Sequence, residues 1–485
     1  MKKILFITSF MLIAVFAMST TVYAAVEVTD LNGLKLALTG NETEITLKND
    51  ITITGTETLD LAGKTITAEG TIIVEGNLSI DGGGTLKSTT LYDVIIVKPG
   101  ATLTVDWVNI ETTRFMGAGI NIYGTTGKTT LVNINKDAEI KATYAALISK
   151  PGGQGITVNI RGTMLGLETK SGSDVAGGVG FYINGFVTDT SANAPVVNVY
   201  DGAILEGDNS PAVYAAGYAV WNIQGGIFTG TEALSIKAGT FNITGGYFKA
   251  TGEYINPVLP EHNGSESSGS AISMTSTAGY NAQKIELNIE NATVESVNGH
   301  AILEANTDST TSFVKNVEIT GGSFTSAKAA VNAQNVTGFI SGGTFSSDVD
   351  EYVDTTKTAV KDEVTGEYYV GTPVAVKVAT TKNGKVTTSE AEAIEGQTVK
   401  ITATPDKNYE VASIKVTDAS GKEITVKNNT FTMPASEVTV TVTFKEKVKD
   451  GTPATGSMNI IMLVSAVLSA VTLSVLISKK YARNI

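Results

Sequence analysis

One short phrase recurs along the chain and restricts what the rest can become. It consists of a hydrophobic-Asn-hydrophobic triplet, a glycine-marked corner and a second bulky apolar residue. It reads Trp221-Asn222-Ile223 followed by Gly225-Gly226-Ile227-Phe228, and again Phe241-Asn242-Ile243 followed by Gly245-Gly246-Tyr247-Phe248. Triplets without paired glycines stand at 132–134, 158–160, 197–199 and 287–289, while Ile319 and Ile340 keep the corner and lose the Asn. The steps from Ile223 to Ile243 and from Ile319 to Ile340 are 20 and 21 residues. Internal repeats of that length belong to solenoids. Within each triplet the flanking apolar residues share one face and the Asn takes the other, which is the period of a strand. The Gly-Gly pair suits a corner with positive φ, after which a second short strand turns its Phe inward. Strand, corner and strand, repeated about every 20 to 25 residues, make one rung of a parallel β-helix. Stacking then buries Ile134, Ile160, Val199, Ile223 and Ile243. It also sets Asn133, Asn159, Asn198, Asn222 and Asn242 in an outer file able to form an amide ladder, a structural role rather than a binding one.

Composition narrows the function. With 485 residues, 42% of them hydrophobic, the chain can bury a long core and is long enough for more than one domain. A net charge of −13 argues against nucleic acid and anionic membrane surfaces as partners. Cysteine is absent, which removes disulfides, thiol nucleophiles and Cys-based metal sites, and the histidines are two, His262 and His300. No metal or other cofactor is expected.

Taken in order, residues 1–24 form a secretory signal. Lys2 and Lys3 precede an apolar run from Ile4 to Met18, and small residues place cleavage between Ala24 and Ala25. Residues 25–44 are expected to cap the solenoid with a brief helix started by Asp30, carrying Leu31, Leu34 and Leu38 on one face and stopped by Gly40. The β-helix occupies 45–370, with irregular segments at 166–178 and 252–277 read as loops. A separate small β domain fills 371–446 and ends on the alternation Val438, Val440, Val442, Phe444. Residues 447–457 are a linker, 458–478 an uninterrupted apolar run long enough to span a bilayer as a transmembrane helix, and 479–485 a basic cytoplasmic tail.

Three segments resemble known families. Residues from about 45 to 347 look like the right-handed, pectate-lyase-like β-helix of Gram-positive surface proteins. The likeness is carried by Leu59-Asp60-Leu61-Ala62-Gly63-Lys64-Thr65 and by the Gly-Gly corners. The region around 372–446 resembles the divergent internalin-type B-repeat, through Glu395-Gly396-Gln397-Thr398-Val399, Ala403-Thr404-Pro405-Asp406 and Phe431-Thr432-Met433-Pro434. That resemblance implies a β-grasp-like spacer or adhesion module. The run Thr452-Pro453-Ala454-Thr455-Gly456, followed by an apolar span and a basic tail, is similar to a sortase sorting signal with Thr452 in place of the usual Leu. It implies that a sortase cuts after Thr455 and joins the chain to peptidoglycan.

Catalytic material is sparse. A β-helix lyase needs a base and calcium-binding carboxylates, and a glycosidase needs a carboxylate pair. Arg114, Arg161, Asp174, Asp189 and Asp201 are the candidates, and no tight cluster emerges from their spacing. Aromatic residues concentrate instead between 181 and 221, and Tyr182, Tyr200, Tyr214 and Tyr218 are the candidates for stacking on a sugar face. The resulting expectation is a cell-surface, non-catalytic β-helix that binds a glycan or host ligand. A surface-tethered polysaccharide lyase or hydrolase, and a purely structural wall component, are the alternatives.

Overall fold

The computed structural model describes residues 25–149, 155–183, 194–257, 267–277, 284–307 and 311–448. Ala24, the sorting motif at 452–456, the span at 458–478, Asp189 and His262 lie outside them. Among the described residues no helix is long and apolar enough to cross a membrane.

Each rung carries three strands rather than the two expected. Thr65–Ala68, Ile72–Val74 and Asn77–Asp81 follow one another, and each pairs in parallel with its counterpart one rung on, at Thr85–Ser88, Asp93–Val97 and Thr102–Val105. Repetition of this step builds three sheets of 15, 11 and 10 strands, referred to below as the first, second and third. The extra strand escapes periodicity because it is often covered on both faces. Ala118–Ile122 and Ile272–Ser276 are buried at every position, so neither alternates. Ile272–Ser276 also corrects the reading of 252–277 as all loop, and 166–178 contains an antiparallel hairpin of Thr169–Ser171 with Asp174–Ala176.

The core consists of side-chain files in strict register. On the first sheet Leu205, Phe228, Phe248, Val294, Phe324 and Phe345 align and are all buried. On the third sheet Leu59, Ile80, Val105, Ile134, Ile160 and Val199 do the same, with Ile223, Ile243, Ile289 and Ile319 continuing the line. Each such side chain contributes about 1.5 to 3 kcal/mol by leaving water. The Asn-bearing strands are parallel and their amides bond in sequence. Asn159 donates to Asn133 at 2.9 Å, Asn198 to Asn159 at 2.9 Å, Asn222 to Asn198 at 3.0 Å, and Asn288 to Asn242 at 2.9 Å. The corner glycines serve two ends. Gly246 has φ +114, and a Cβ on Gly245 would stand 2.4 Å from the Gln224 carbonyl oxygen of the rung below.

Both ends of the stack are closed. Strand Val26–Val28 joins the first sheet, and the helix Leu31–Thr39 lies over the first rung with Leu34, Ala37 and Leu38 buried and Asp30 accepting from the Gly33 N–H at 2.8 Å. At the other end Tyr368–Gly371 pairs antiparallel with Gly343–Phe345 and with Thr358–Lys361, which halts parallel growth. The C-terminal module follows, with Val374–Val378 pairing in parallel with the last strand, Val438–Glu446, and antiparallel elsewhere. It has sheets of five and three strands, and no helix among its described residues, so the helix a β-grasp-like domain would carry is not seen. Asp362, fully buried, ties the module to the stack: its carboxylate accepts from the N–H groups of Val364 and Thr365 and, across the joint, from Thr398 at 2.7 Å.

Candidate functional site

A cleft of about 870 Å³ opens where the chain passes from the first sheet to the second. Glu168, Asp208, Asn209, Ser210, Thr231 and Glu253 line it. These residues follow the ends of successive strands, and rung stacking brings them together from positions spread over more than eighty residues of sequence. Two of the three acidic groups are held in place. Asp208 accepts from the Glu168 backbone N–H at 3.0 Å, Glu168 accepts from the Asn209 amide at 3.2 Å, and Lys170 lies 3.8 Å from Glu168.

In the rungs beside the cleft sit two buried ionisable groups that the sequence reading passed over. Glu232 accepts from both the backbone N–H and the hydroxyl of Ser268, while its other oxygen has no hydrogen-bond partner among the described residues. Lys237 contacts the Thr275 hydroxyl, and burial lowers its pKa to about 8 against the raising influence of Glu232. Glu304 is buried too, but its carboxylate is saturated by the Gln334 and Asn335 N–H groups, the Asn335 amide and the Ser312 hydroxyl. His300 is enclosed, its Nδ1 2.8 Å from the Ala329 carbonyl, and burial holds its pKa below the ordinary imidazole value. No group of three His, Asp or Glu residues suited to a metal ion occurs among the described residues.

The four tyrosines part company. Tyr182 and Tyr214 are register partners on the second sheet, half-buried, with ring centroids 5.2 Å apart, and Tyr144 meets Tyr182 edge-on at 5.8 Å. Tyr200 lies on another corner beneath the Arg161 guanidinium, 3.7 Å from its centroid. Tyr218 is only 5% exposed, and its hydroxyl is 3.0 Å from that of Thr240, which donates to Glu286. Its ring is therefore packed away from any docking face, a correction to the sequence expectation. The sequence groups Tyr218 with its aromatic neighbours, but it stands in the short connection between Val213–Ala215 and Val220–Ile223, where it packs beside Ala238 and Val220.

The residues weighed for catalysis do not line the cleft where they are described, and Asp189 lies outside the described residues. Arg114 stacks on Tyr92 at 3.2 Å and donates to the Thr90 carbonyl, Asp174 is exposed on the hairpin, and Asp201 is exposed on a turn. The sequence reading also missed Trp107, which is 61% exposed with φ +46. A signal was present: Trp107 stands two residues past Val105, where Gly225 and Gly245 stand two past Ile223 and Ile243.

Three stacked parallel sheets with a corner cleft, closed by a hairpin and extended by a small two-sheet module, define a parallel β-helix solenoid carrying a C-terminal repeat-type module. Residues 374–448, essentially that module, match the family model of the Divergent InlB B-repeat domain, a module that suggests a surface protein. Comparison with curated proteins and with solved structures finds no match.

Proposed function

We propose that this chain is a non-catalytic protein of the cell surface, a right-handed β-helix that presents a long binding face to a glycan or a host ligand. The handedness follows the rule for parallel crossovers. The observations that carry the reading are the corner cleft and, further along the chain, the B-repeat-like module. A polar groove of about 870 Å³ accommodates several sugar units, and two of its carboxylates, Glu168 and Asp208, are engaged in positioning loops. A hydrolase would instead need two carboxyls facing each other across a free gap. Attachment belongs to the same proposal. The signal at 1–24 exports the chain, the span at 458–478 holds it, and a sortase joins Thr455 to peptidoglycan.

The test is binding and turnover by the full chain on a panel of neutral and uronic-acid glycans and host surface proteins, with and without calcium. Saturable binding without release of reducing or unsaturated ends is expected. Release of such ends overturns the reading in favour of a tethered lyase or hydrolase, and the absence of any saturable binding overturns it in favour of a wall component. For attachment, Thr455→Ala is expected to move the chain from the peptidoglycan fraction to the membrane fraction.

A further inference from the structure

Trp107 occupies the corner between the third sheet and the first, well away in sequence from the cleft. Its backbone is left-handed, with φ +46, a conformation that bulky side chains rarely adopt. The reason is visible in its contacts. The Trp107 carbonyl accepts from the Gly83 N–H at 2.8 Å, and the indole lies on the bare backbone of Gly83, where a Cβ would stand 3.0 to 3.1 Å from three indole carbons. The glycine thus supports one face of the ring, and the ring remains 61% exposed. No other aromatic or cationic side chain is recorded against it among the described residues, in contrast with Tyr200 under Arg161 and Tyr92 under Arg114.

Beside the ring runs a file of carboxylates. Asp60 pairs in register with Asp81, and the next rung continues the line with Asp106, whose N–H donates to the Ile80 carbonyl at 2.9 Å. The Asp60 carboxylate overhangs Gly82, its Oδ1 1.9 Å from where a Cβ on that glycine would be, so acid and indole cover adjacent glycines. Neighbouring rungs lie about 4.8 Å apart, a spacing at which like charges repel. One oxygen of Asp60 accepts from the Ala62 N–H at 2.8 Å and one of Asp81 from the Gly82 N–H at 2.6 Å, and none of the three forms an ion pair among the described residues.

We propose that Trp107 with Asp60, Asp81 and Asp106 is a docking platform for an amino-sugar oligosaccharide. The apolar face of one pyranose stacks on the indole, and its protonated amines lie along the carboxylate file, relieving the repulsion between rungs. The site is separate from the corner cleft and stands whether or not the cleft binds a glycan.

The chain has two tryptophans, and Trp221 is fully buried between Phe181 and Phe241, so its emission is an internal control for folding. The experiment titrates the full chain with a glucosamine oligomer under mildly acidic conditions that protonate the sugar amines, and follows tryptophan emission. A saturable change is expected, and calorimetric titration of Trp107→Asn, which does not depend on the removed fluorophore, is expected to show binding lost. Asparagine suits left-handed backbone, as Asn383, Asn408 and Asn429 already show. The triple change Asp60→Asn, Asp81→Asn and Asp106→Asn is expected to weaken binding about tenfold or more. If Trp107→Asn fails to keep the buried Trp221 signal, Trp107→Gly serves the same purpose. A flat titration, binding that persists without Trp107, or equal affinity for the N-acetylated neutral oligomer would each overturn the assignment.

Discussion

The side-chain amide of Asn242 donates to Oδ1 of Asn222 at 3.2 Å, and Asn222 in turn donates to Asn198 at 3.0 Å, so each amide gives one bond and receives one. Removing a middle member breaks two bonds. Asn222→Ala is expected to cost about 1 to 2 kcal/mol, because each half-exposed hydrogen bond is worth about 1 kcal/mol or less. Asn222→Asp should cost more, since it aims a carboxylate at the Asn198 oxygen. The midpoint of denaturant unfolding measures both, and an unchanged midpoint in Asn222→Ala would show the ladder to be energetically idle.

Phe248 lies against Phe228 with centroids 4.6 Å apart and planes 11° from parallel, at the centre of the first-sheet file. Phe248→Ala leaves a cavity flanked by rigid rungs and is expected to destabilise by about 3 to 5 kcal/mol. In a solenoid each rung touches only its neighbours, so the loss should concentrate nearby. Hydrogen exchange would show faster exchange in 223–250 than in 65–110.

Lys237 gives the fold a pH dependence with a defined sign. Its folded pKa is about 8 and its unfolded value 10.5, so between those values the unfolded chain binds more protons. Stability therefore rises with pH across that window, and the full effect is on the order of 3 kcal/mol. Tyr247, whose pKa is raised by its bond to Glu295, opposes this above pH 10. Thermal unfolding between pH 8 and 10 should show the rise, and Lys237→Met should abolish it.

Asp362 is the acceptor for three N–H groups, one of them across the joint on Thr398. Asp362→Ala strands these donors at a buried site, with a penalty of about 1 to 3 kcal/mol. The expected result is faster amide exchange at Val364, Thr365 and Thr398 with the core of the module, Val399 to Ile401, still protected. Exchange that stays slow at Thr398 would show that other contacts hold the joint.

The phrase around Asn222 and Asn242 was enough to read a parallel stack, its inward Ile and Phe files and its outward amides, because strand period and glycine corners are encoded within a few adjacent residues. The cap at Asp30 and the change of composition near Gly371 were legible for the same reason. Local pattern did not extend to the third strand of each rung, whose residues are covered on both sides and so lose alternation. Nor did it place the rings: Tyr218 is buried beside Thr240 while Tyr182 and Tyr214 meet, and only tertiary packing separates these cases. Trp107 on Gly83, Glu168 near Asp208 and Asp362 on Thr398 join residues some 24 to 40 positions apart. Their meeting depends on how many residues each rung spends on its corners. That length sets the register between turns, and no short window of sequence contains it.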